Sequence, residues 1–289
     1  MRSILVPTDF SECAQHAAEV GASLARESGS KLYLMHIINL PTYESADRKE
    51  RHHNTAEGIF ISKLVSRKFA DLLQKPFLEG VEVEDIVKFN TVYESISDVS
   101  KEKNVDLIVM GSHGASGSKE FFIGSNAERI IRTSEIPVLT IKKKHDQFSI
   151  KDMVFASNFF EESYDVFGQI LALAKVFRSR IHLLKVITPN HFETTQYSTR
   201  LMDDFIRATK LEVDHTINIF NDETIENGIH HFSDEIDADL IAMETHGRSG
   251  IRHMLWGSIT EGVANHSDLP VLSVRIPKDP ENTRVIFPD

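Results

Sequence analysis

Asp106-Leu-Ile-Val-Met-Gly-Ser-His-Gly114 recurs later in the chain as Asp239-Leu-Ile-Ala-Met-Glu-Thr-His-Gly247. Ten residues beyond each closing glycine stands a Gly-Ser pair, Gly124-Ser125 and Gly257-Ser258. Each copy opens as a short apolar run rich in branched residues, the pattern of a strand buried on both faces. It then meets residues that turn the chain sharply, and an apolar-periodic segment follows the Gly-Ser pair. A strand, a glycine turn and a helix in that order make half of a βαβ unit.

Working outward, the repeat covers nearly the whole chain. Ile4-Leu-Val-Pro-Thr-Asp9-Phe matches Met153-Val-Phe-Ala-Ser-Asn158-Phe, and Lys31-Leu-Tyr-Leu-Met-His-Ile37 matches Arg180-Ile-His-Leu-Leu-Lys-Val186. Ile136-Pro-Val-Leu-Thr-Ile141 matches Leu269-Pro-Val-Leu-Ser-Val274. The offset falls from 149 residues at the first strand to 133 at the last, so the first copy carries more inserted chain. Ala14, Ala17, Ala18, Gly21, Ala22 and Ala25 share one helical face; Val166, Phe167, Ile170, Leu171, Ala174 and Phe177 share another. Ile61, Leu64, Val65, Phe69, Leu72 and Leu73 form a third stripe. Alternating strands and helices predict two repeated doubly wound α/β domains, each a five-stranded parallel sheet with helices on both faces. The strands are expected near 3–7, 31–38, 82–90, 105–110 and 137–142, then 152–156, 180–187, 212–219, 238–243 and 270–275. The domains are expected at 1–143 and 150–278, with a polar linker between them and a C-terminal tail at 279–289.

Composition narrows the function classes. The 289 residues are 41% apolar and 26% charged, which fits two globular domains. No apolar run approaches the ~20 residues that span a bilayer, which argues against a membrane partner. The formal charge of −11 argues against a nucleic-acid binder, which needs a basic face to release counterions. A single cysteine, Cys13, excludes an internal disulfide and suits a reducing, cytoplasmic interior. Its alanine-rich surroundings favour a packing role over a reactive thiol.

Ligands of open α/β sheets bind at the carboxyl ends of the strands, where Asp9, Ile37 and Gly111 are expected together. Gly111 and Gly114 let a ligand approach the backbone. Gly124-Ser125-Asn126 opens a helix whose free amide hydrogens and positive end suit phosphate. A plain strand-loop-helix turn with a helix cap is the alternative, and the full Gly-x2-Gly-x9-Gly-Ser spacing weighs against it. Neither Gly-x4-Gly-Lys-Ser/Thr nor Gly-x-Gly-x2-Gly occurs, so a P-loop hydrolase or a dinucleotide oxidoreductase has little support.

Gly111-x2-Gly114-x9-Gly124-Ser125, with Val6-Pro-Thr-Asp9 and Ile136-Pro-Val, resembles the universal stress protein family in its tandem, two-domain form. The resemblance implies strand order 3-2-1-4-5 and a bound adenine nucleotide, ATP, with Mg as an accompanying ion. It implies that Pro7, Thr8, Asp9 and Ile37 hold adenine and ribose. Met110, Gly111, Gly114, Gly124, Ser125 and Asn126, with His113 in the same loop, would line ribose and phosphates. It further implies that paired domains meet through their last strands, so the two halves would form an internal pseudo-dimer; a homo-oligomer stays open. A regulatory or sensor role follows, with an interaction or chaperone-like scaffold and a slow ATPase as the competing readings.

The second copy departs twice. Asn158 stands where the first has Asp9, and Glu244 where it has Gly111. A carboxylate beside phosphate repels it by ~1 kcal/mol at 4 Å in water and ~4 kcal/mol at an intermediate dielectric. Arg248, Arg252 and His253 make this loop more basic than the first, and Glu244 could instead hold one of those arginines or a metal. A weakened or repurposed second site is expected, even though Gly247, Gly257 and Ser258 are kept. His113 and His246 read as loop-shaping residues, His52-His53 and His230-His231 as solvated pairs, and Trp256 as packing. The charged segment 44–53 reads as a surface loop, with a mobile flap as the alternative. The apolar Val285-Ile286-Phe287 of the tail docks on the protein or on a partner.

Overall fold

The structure, a computed structural model, describes residues 1–38, 56–114, 124–246 and 254–276. The first half runs β1 (Ser3–Pro7), α1 (Glu12–Ser28), β2 (Lys31–Ile38), α2 (Ala56–Leu73), a 3-10 turn (Pro76–Leu78), β3 (Val83–Phe89), α3 (Val92–Glu102), β4 (Leu107–Gly111), α4 (Ser125–Thr133) and β5 (Val138–Ile141). The second runs β6 (Asp152–Ala156), α5 (Glu162–Phe177), β7 (Arg180–Ile187), α6 (Thr195–Thr209), β8 (His215–Asn221), α7 (Ile225–Glu235), β9 (Leu240–His246), α8 (Met254–His266) and β10 (Val271–Ile276).

Hydroxyl caps start four of the eight helices among the described residues. Ser11, Thr91, Thr194 and Thr224 each accept an amide hydrogen from the first turn of α1, α3, α6 and α7. Gly29, at φ +67°, closes α1 in the left-handed conformation. The aspartate that opens each repeated stretch has a job of its own. Asp106 Oδ2 accepts the Ser3 N–H at 3.1 Å, and Asp239 Oδ2 accepts the Asp152 N–H at 3.0 Å. Each aspartate thereby pins the start of the central strand of its half.

The strand order is β3-β2-β1-β4-β5-β10-β9-β6-β7-β8. Each half therefore has the expected order 3-2-1-4-5, all parallel. The two sheets join through β5 and β10, antiparallel, with Leu139 opposite Leu272. Thr140 Oγ1 adds a bond to the Val271 carbonyl at 3.2 Å across the seam.

The sheet is covered on both faces. On one, α1, α2, α5 and α6 bury Ala17, Phe69, Phe167 and Phe205 against alternate strand residues such as Ile4, Val6, Leu139 and Leu272. On the other, α3, α4, α7 and α8 bury Val99, Ile130, Phe232 and Val263 against Leu5, Ile108, Val138 and Val271. Both apolar layers cross the seam, because strand side chains alternate faces with period two. The predicted stripe on α2 is narrower than expected. Val65, Phe69 and Leu72 are buried, whereas Leu64 (48% exposed) and Leu73 (39%) lie on its outer flank. Segment 44–53, His52-His53 and the tail from residue 277 lie outside the described residues.

Candidate functional site

The carboxyl edge of the first half is built around one tight turn. The Thr8 N–H donates to the Met35 carbonyl (2.7 Å), the Phe10 N–H to Thr8 Oγ1 (3.0 Å) and the Ser11 N–H to Asp9 Oδ1 (3.0 Å). His36 Nδ1 lies 2.7 Å from the Thr8 carbonyl, which can only accept, so the imidazole donates there. Phe10 sits at φ +64°, a left-handed conformation rarely taken by a residue with a Cβ. The turn leaves Asp9 exposed at the rim while Thr8 is buried, its oxygen engaged in the turn.

Three glycines converge beside Asp9. A Cβ at Gly111 would stand 2.9 Å from Cys13 Sγ and 3.0 and 3.1 Å from the Cys13 backbone carbon and oxygen. Strand β4 and the start of α1 thus touch main chain to main chain. A Cβ at Gly114 would meet Asp9 Oδ2 at 2.7 Å, so the carboxylate is aimed at that glycine. The Gly124 N–H donates to the Ser112 carbonyl at 2.7 Å, which folds the far end of the loop back onto its beginning. Helix α4 then starts at Ser125 with Gly124 as its N-cap and no side-chain cap, unlike α1, α3, α6 and α7. Among the described residues no side chain caps its first amide hydrogens.

The residues expected from the sequence fall on this edge, at different depths. Asp9, Gly114, Ser125 and Asn126 are exposed; Pro7, Ile37, Gly111, His113 and Gly124 are half-buried; Thr8 and Met110 are buried. Ile37 lies within β2, paired with Lys88, rather than after it, and Met110 lies within β4, with its side chain in the core. His113 Nδ1 is 3.0 Å from Ser112 Oγ, and Cys13 donates to the Ile141 carbonyl at 3.3 Å. Both contacts shape the loop and its packing. Lys119 and Glu120 are outside the described residues.

The second half repeats the turn and changes what surrounds it. The Phe159 N–H donates to Ser157 Oγ (2.8 Å) and the Phe160 N–H to Asn158 Oδ1 (3.0 Å), with Phe159 at φ +61°. Lys185 takes the place of His36, and its Nζ donates to the Asn158 carbonyl at 3.0 Å. Glu244, with 0% exposure, turns inward. Its Oε1 accepts from Ser157 Oγ (3.0 Å) and Ser163 Oγ (2.9 Å), and its Oε2 has no hydrogen-bond partner among the described residues. Where Gly111 leaves room for the Cys13 thiol, Glu244 supplies the filling itself, and Ser163 replaces Ala14 to receive it.

Burial pushes the Glu244 carboxyl up to about 7, opposed by the two serine hydroxyls and by Lys185, with Glu162 adding to the rise. Burial also lowers the Lys185 ammonium, against the pull of Glu193 at 3.2 Å. Among the described residues, the hydrogen-bond donors to the Glu244 carboxyl are Ser157 and Ser163. Gly247, Arg248, Arg252 and His253 are outside the described residues. Gly257 and Ser258 fall inside α8, which begins at Met254, so the second Gly-Ser pair does not open its helix. A cavity of about 470 Å³ nearby, between α5 and α6, is rimmed by Glu161, Glu162 and Asp204, the wrong sign for phosphate. Sequence reasoning misses the left-handed turn and the serine-held glutamate, because neither shows as a spacing. The matching Asp9-Phe10 and Asn158-Phe159 pairs were the available signal.

Comparison with known proteins agrees with the repeat. The sequence profile of the universal stress protein family matches residues 1–142 and again 149–275. A universal stress protein of Synechocystis is 22% identical over 298 residues, covering 95% of this chain and all of the relative. One from Methanocaldococcus jannaschii is 28% identical over 160 residues, covering 50% of this chain and 96% of its own. The crystal structure of a universal stress protein from Archaeoglobus fulgidus shares the fold with a TM-score of 0.66 at 23% identity, over 95% of this chain and 98% of that one. With both halves matched, the chain belongs to the universal stress protein family, as a tandem of two family units.

Proposed function

We propose that the first half binds an adenine nucleotide, ATP, and that occupancy of this site is how the chain acts in a stress response. The observation that carries the reading is the convergence of Asp9, Gly114 and the uncapped start of α4 on one exposed edge. Asp9 supplies an acceptor-only carboxylate for ribose hydroxyls, and the amides of Gly114, Ser125 and Asn126 suit phosphate oxygens. Pro7, Ile37 and the main chain at Met110 would flank the place for the base, with Gly111 packed directly on the Cys13 backbone beside it. The second half offers no such opening in this reading. Ser157, Asn158, Lys185, Glu244 and Thr245 are all buried at the corresponding strand ends. The domains would divide at 1–143 and 150–278, joined through β5 and β10 as an internal pair, in a reducing cell interior.

Calorimetric titration of the full chain tests the reading. One ATP per chain is expected, with affinity falling about tenfold or more in Asp9→Asn, the scale of one lost charge-assisted hydrogen bond. Absence of binding at millimolar ATP overturns it in favour of a scaffold role. Two equal sites overturn the assignment to the first half.

A further inference from the structure

A hydrophobic residue at φ +64° beside the exposed carboxylate of Asp9 is held there by contacts from elsewhere in the fold. The Phe10 ring packs on His36 (centroids 4.7 Å apart) and edge-on to Phe69 of α2 (5.1 Å), with Lys68 Nζ 5.1 Å from its centroid. His36 in turn donates to the Thr8 carbonyl. A left-handed conformation at a non-glycine residue persists only where its surroundings over-determine it. Here His36 of β2 and Phe69 of α2 add to the hydrogen bonds within the turn, from the Phe10 N–H to Thr8 Oγ1 and from the Ser11 N–H to Asp9 Oδ1. The second half repeats the arrangement: Phe159, also left-handed, packs edge-on to Phe205 of α6 at 5.2 Å.

We propose that Phe10 is a positioning residue through which α2 sets the direction of the Asp9 carboxylate, and hence the affinity of the first half for its ligand. The proposal rests on the nucleotide reading given above. Asp9 and Phe10 are adjacent, so a change in the Phe10 backbone rotates the peptide that carries the carboxylate. Asp9 Oδ2 now points at Gly114, where a methyl group would already collide with it. Anchoring and aiming are therefore one act. Because coupling is reciprocal, ligand held by Asp9 should also steady α2.

The test is a double-mutant cycle on the full chain, with ATP affinity measured at a temperature where every variant is shown to be folded. Phe10→Gly accepts the left-handed backbone and removes the ring. It is expected to weaken ATP binding about tenfold in the wild-type background and to have no further effect in Asp9→Asn. Phe69→Leu, on α2, should weaken binding in the same direction and only when Asp9 is present; it carries the test if Phe10→Gly does not fold. A ring that merely holds the fold together would lower the melting temperature and leave affinity unchanged, which overturns the inference. Equal losses in the wild-type and Asp9→Asn backgrounds overturn the route through Asp9. Failure of the wild-type chain to bind ATP overturns the nucleotide reading and this inference together, whereas unaltered binding in Phe10→Gly removes this inference alone.

Discussion

Replacing Glu244 by glutamine should remove from the second half one loss of stability that the wild-type chain undergoes as pH rises. Glu244 is fully buried, one oxygen is held by Ser157 and Ser163, and the other has no hydrogen-bond partner among the described residues. Its carboxyl rises from an ordinary 4.5 to about 7 in the folded chain. A folded value above the unfolded one means that the native state holds the proton more tightly. The associated stability is complete below pH 4.5 and disappears as pH rises through 7. At ~1.4 kcal/mol per pKa unit, the gap corresponds to about 3 kcal/mol, a large share of the stability of a small domain.

Glutamine keeps the shape and the acceptor for both serines but carries no charge at any pH. Chaotrope titrations at pH 5, 6, 7 and 8 should be followed through Trp256, which is the single tryptophan and belongs to the second half. The variant should be close to wild type at pH 5 and the more stable of the two at pH 8, by up to about 3 kcal/mol. Histidines titrating in the same range cancel in the difference between the two proteins. A difference that stays flat from pH 5 to pH 8 would refute the buried, proton-holding carboxyl.

Three further perturbations bear on the edge and the seam. Gly111→Ala places a methyl group within 3.0–3.1 Å of the Cys13 backbone, which cannot swing aside. Thermal unfolding should show a loss of ~1–3 kcal/mol, the usual cost of overpacking. Among the described residues, Gly114→Ala meets the Asp9 carboxylate, the far end of a side chain, so its melting temperature should stay within a few degrees of wild type while ATP affinity falls about tenfold. Equal damage to stability at both glycines would contradict this division of roles. Leu272→Ala empties a fully buried position opposite Leu139 at the antiparallel seam, and denaturation should report a loss of ~2–5 kcal/mol felt by both halves.

Most of the strand framework was legible because buried parallel strands are dense apolar runs. β1, β2, β6 and β7 match their expected limits residue for residue. The departures have local causes. The eighth strand begins at His215 rather than 212 because Lys210, at φ +48°, ends α6 in a left-handed turn and Leu211 is buried as it leaves the helix. The fourth begins at Leu107 because Asn104 is left-handed and Asp106 is tied to β1. On α2, apolarity could not separate the buried Phe69 from the exposed Leu64, since both fit a helical stripe and only packing against β1 and β2 distinguishes them.

The candidate site divides in the same way. Gly111, Gly114 and Gly124 could be picked out by spacing, because glycine is the residue that brings main chains into contact. What the spacing could not supply is the left-handed Phe10 beside Asp9, its ring packed against Phe69 of a helix 59 residues downstream. Nor could it foretell that Glu244 turns inward to two serines, since Ser157 and Ser163 lie more than 80 residues from it in the chain.

By itself the sequence determined the repeated α/β unit and the glycine positions, which follow from local periodicity and spacing; the strand order came from the family resemblance. The meeting of the halves through their last strands was implied by the resemblance, and the structure shows its antiparallel register at β5 and β10; tertiary structure alone decided that Asp9 is exposed at its strand end while Ser157, Asn158, Lys185 and Glu244 are buried at theirs. Such choices are made between residues far apart in the chain, where burial and hydrogen-bond partners exist only once the halves have folded.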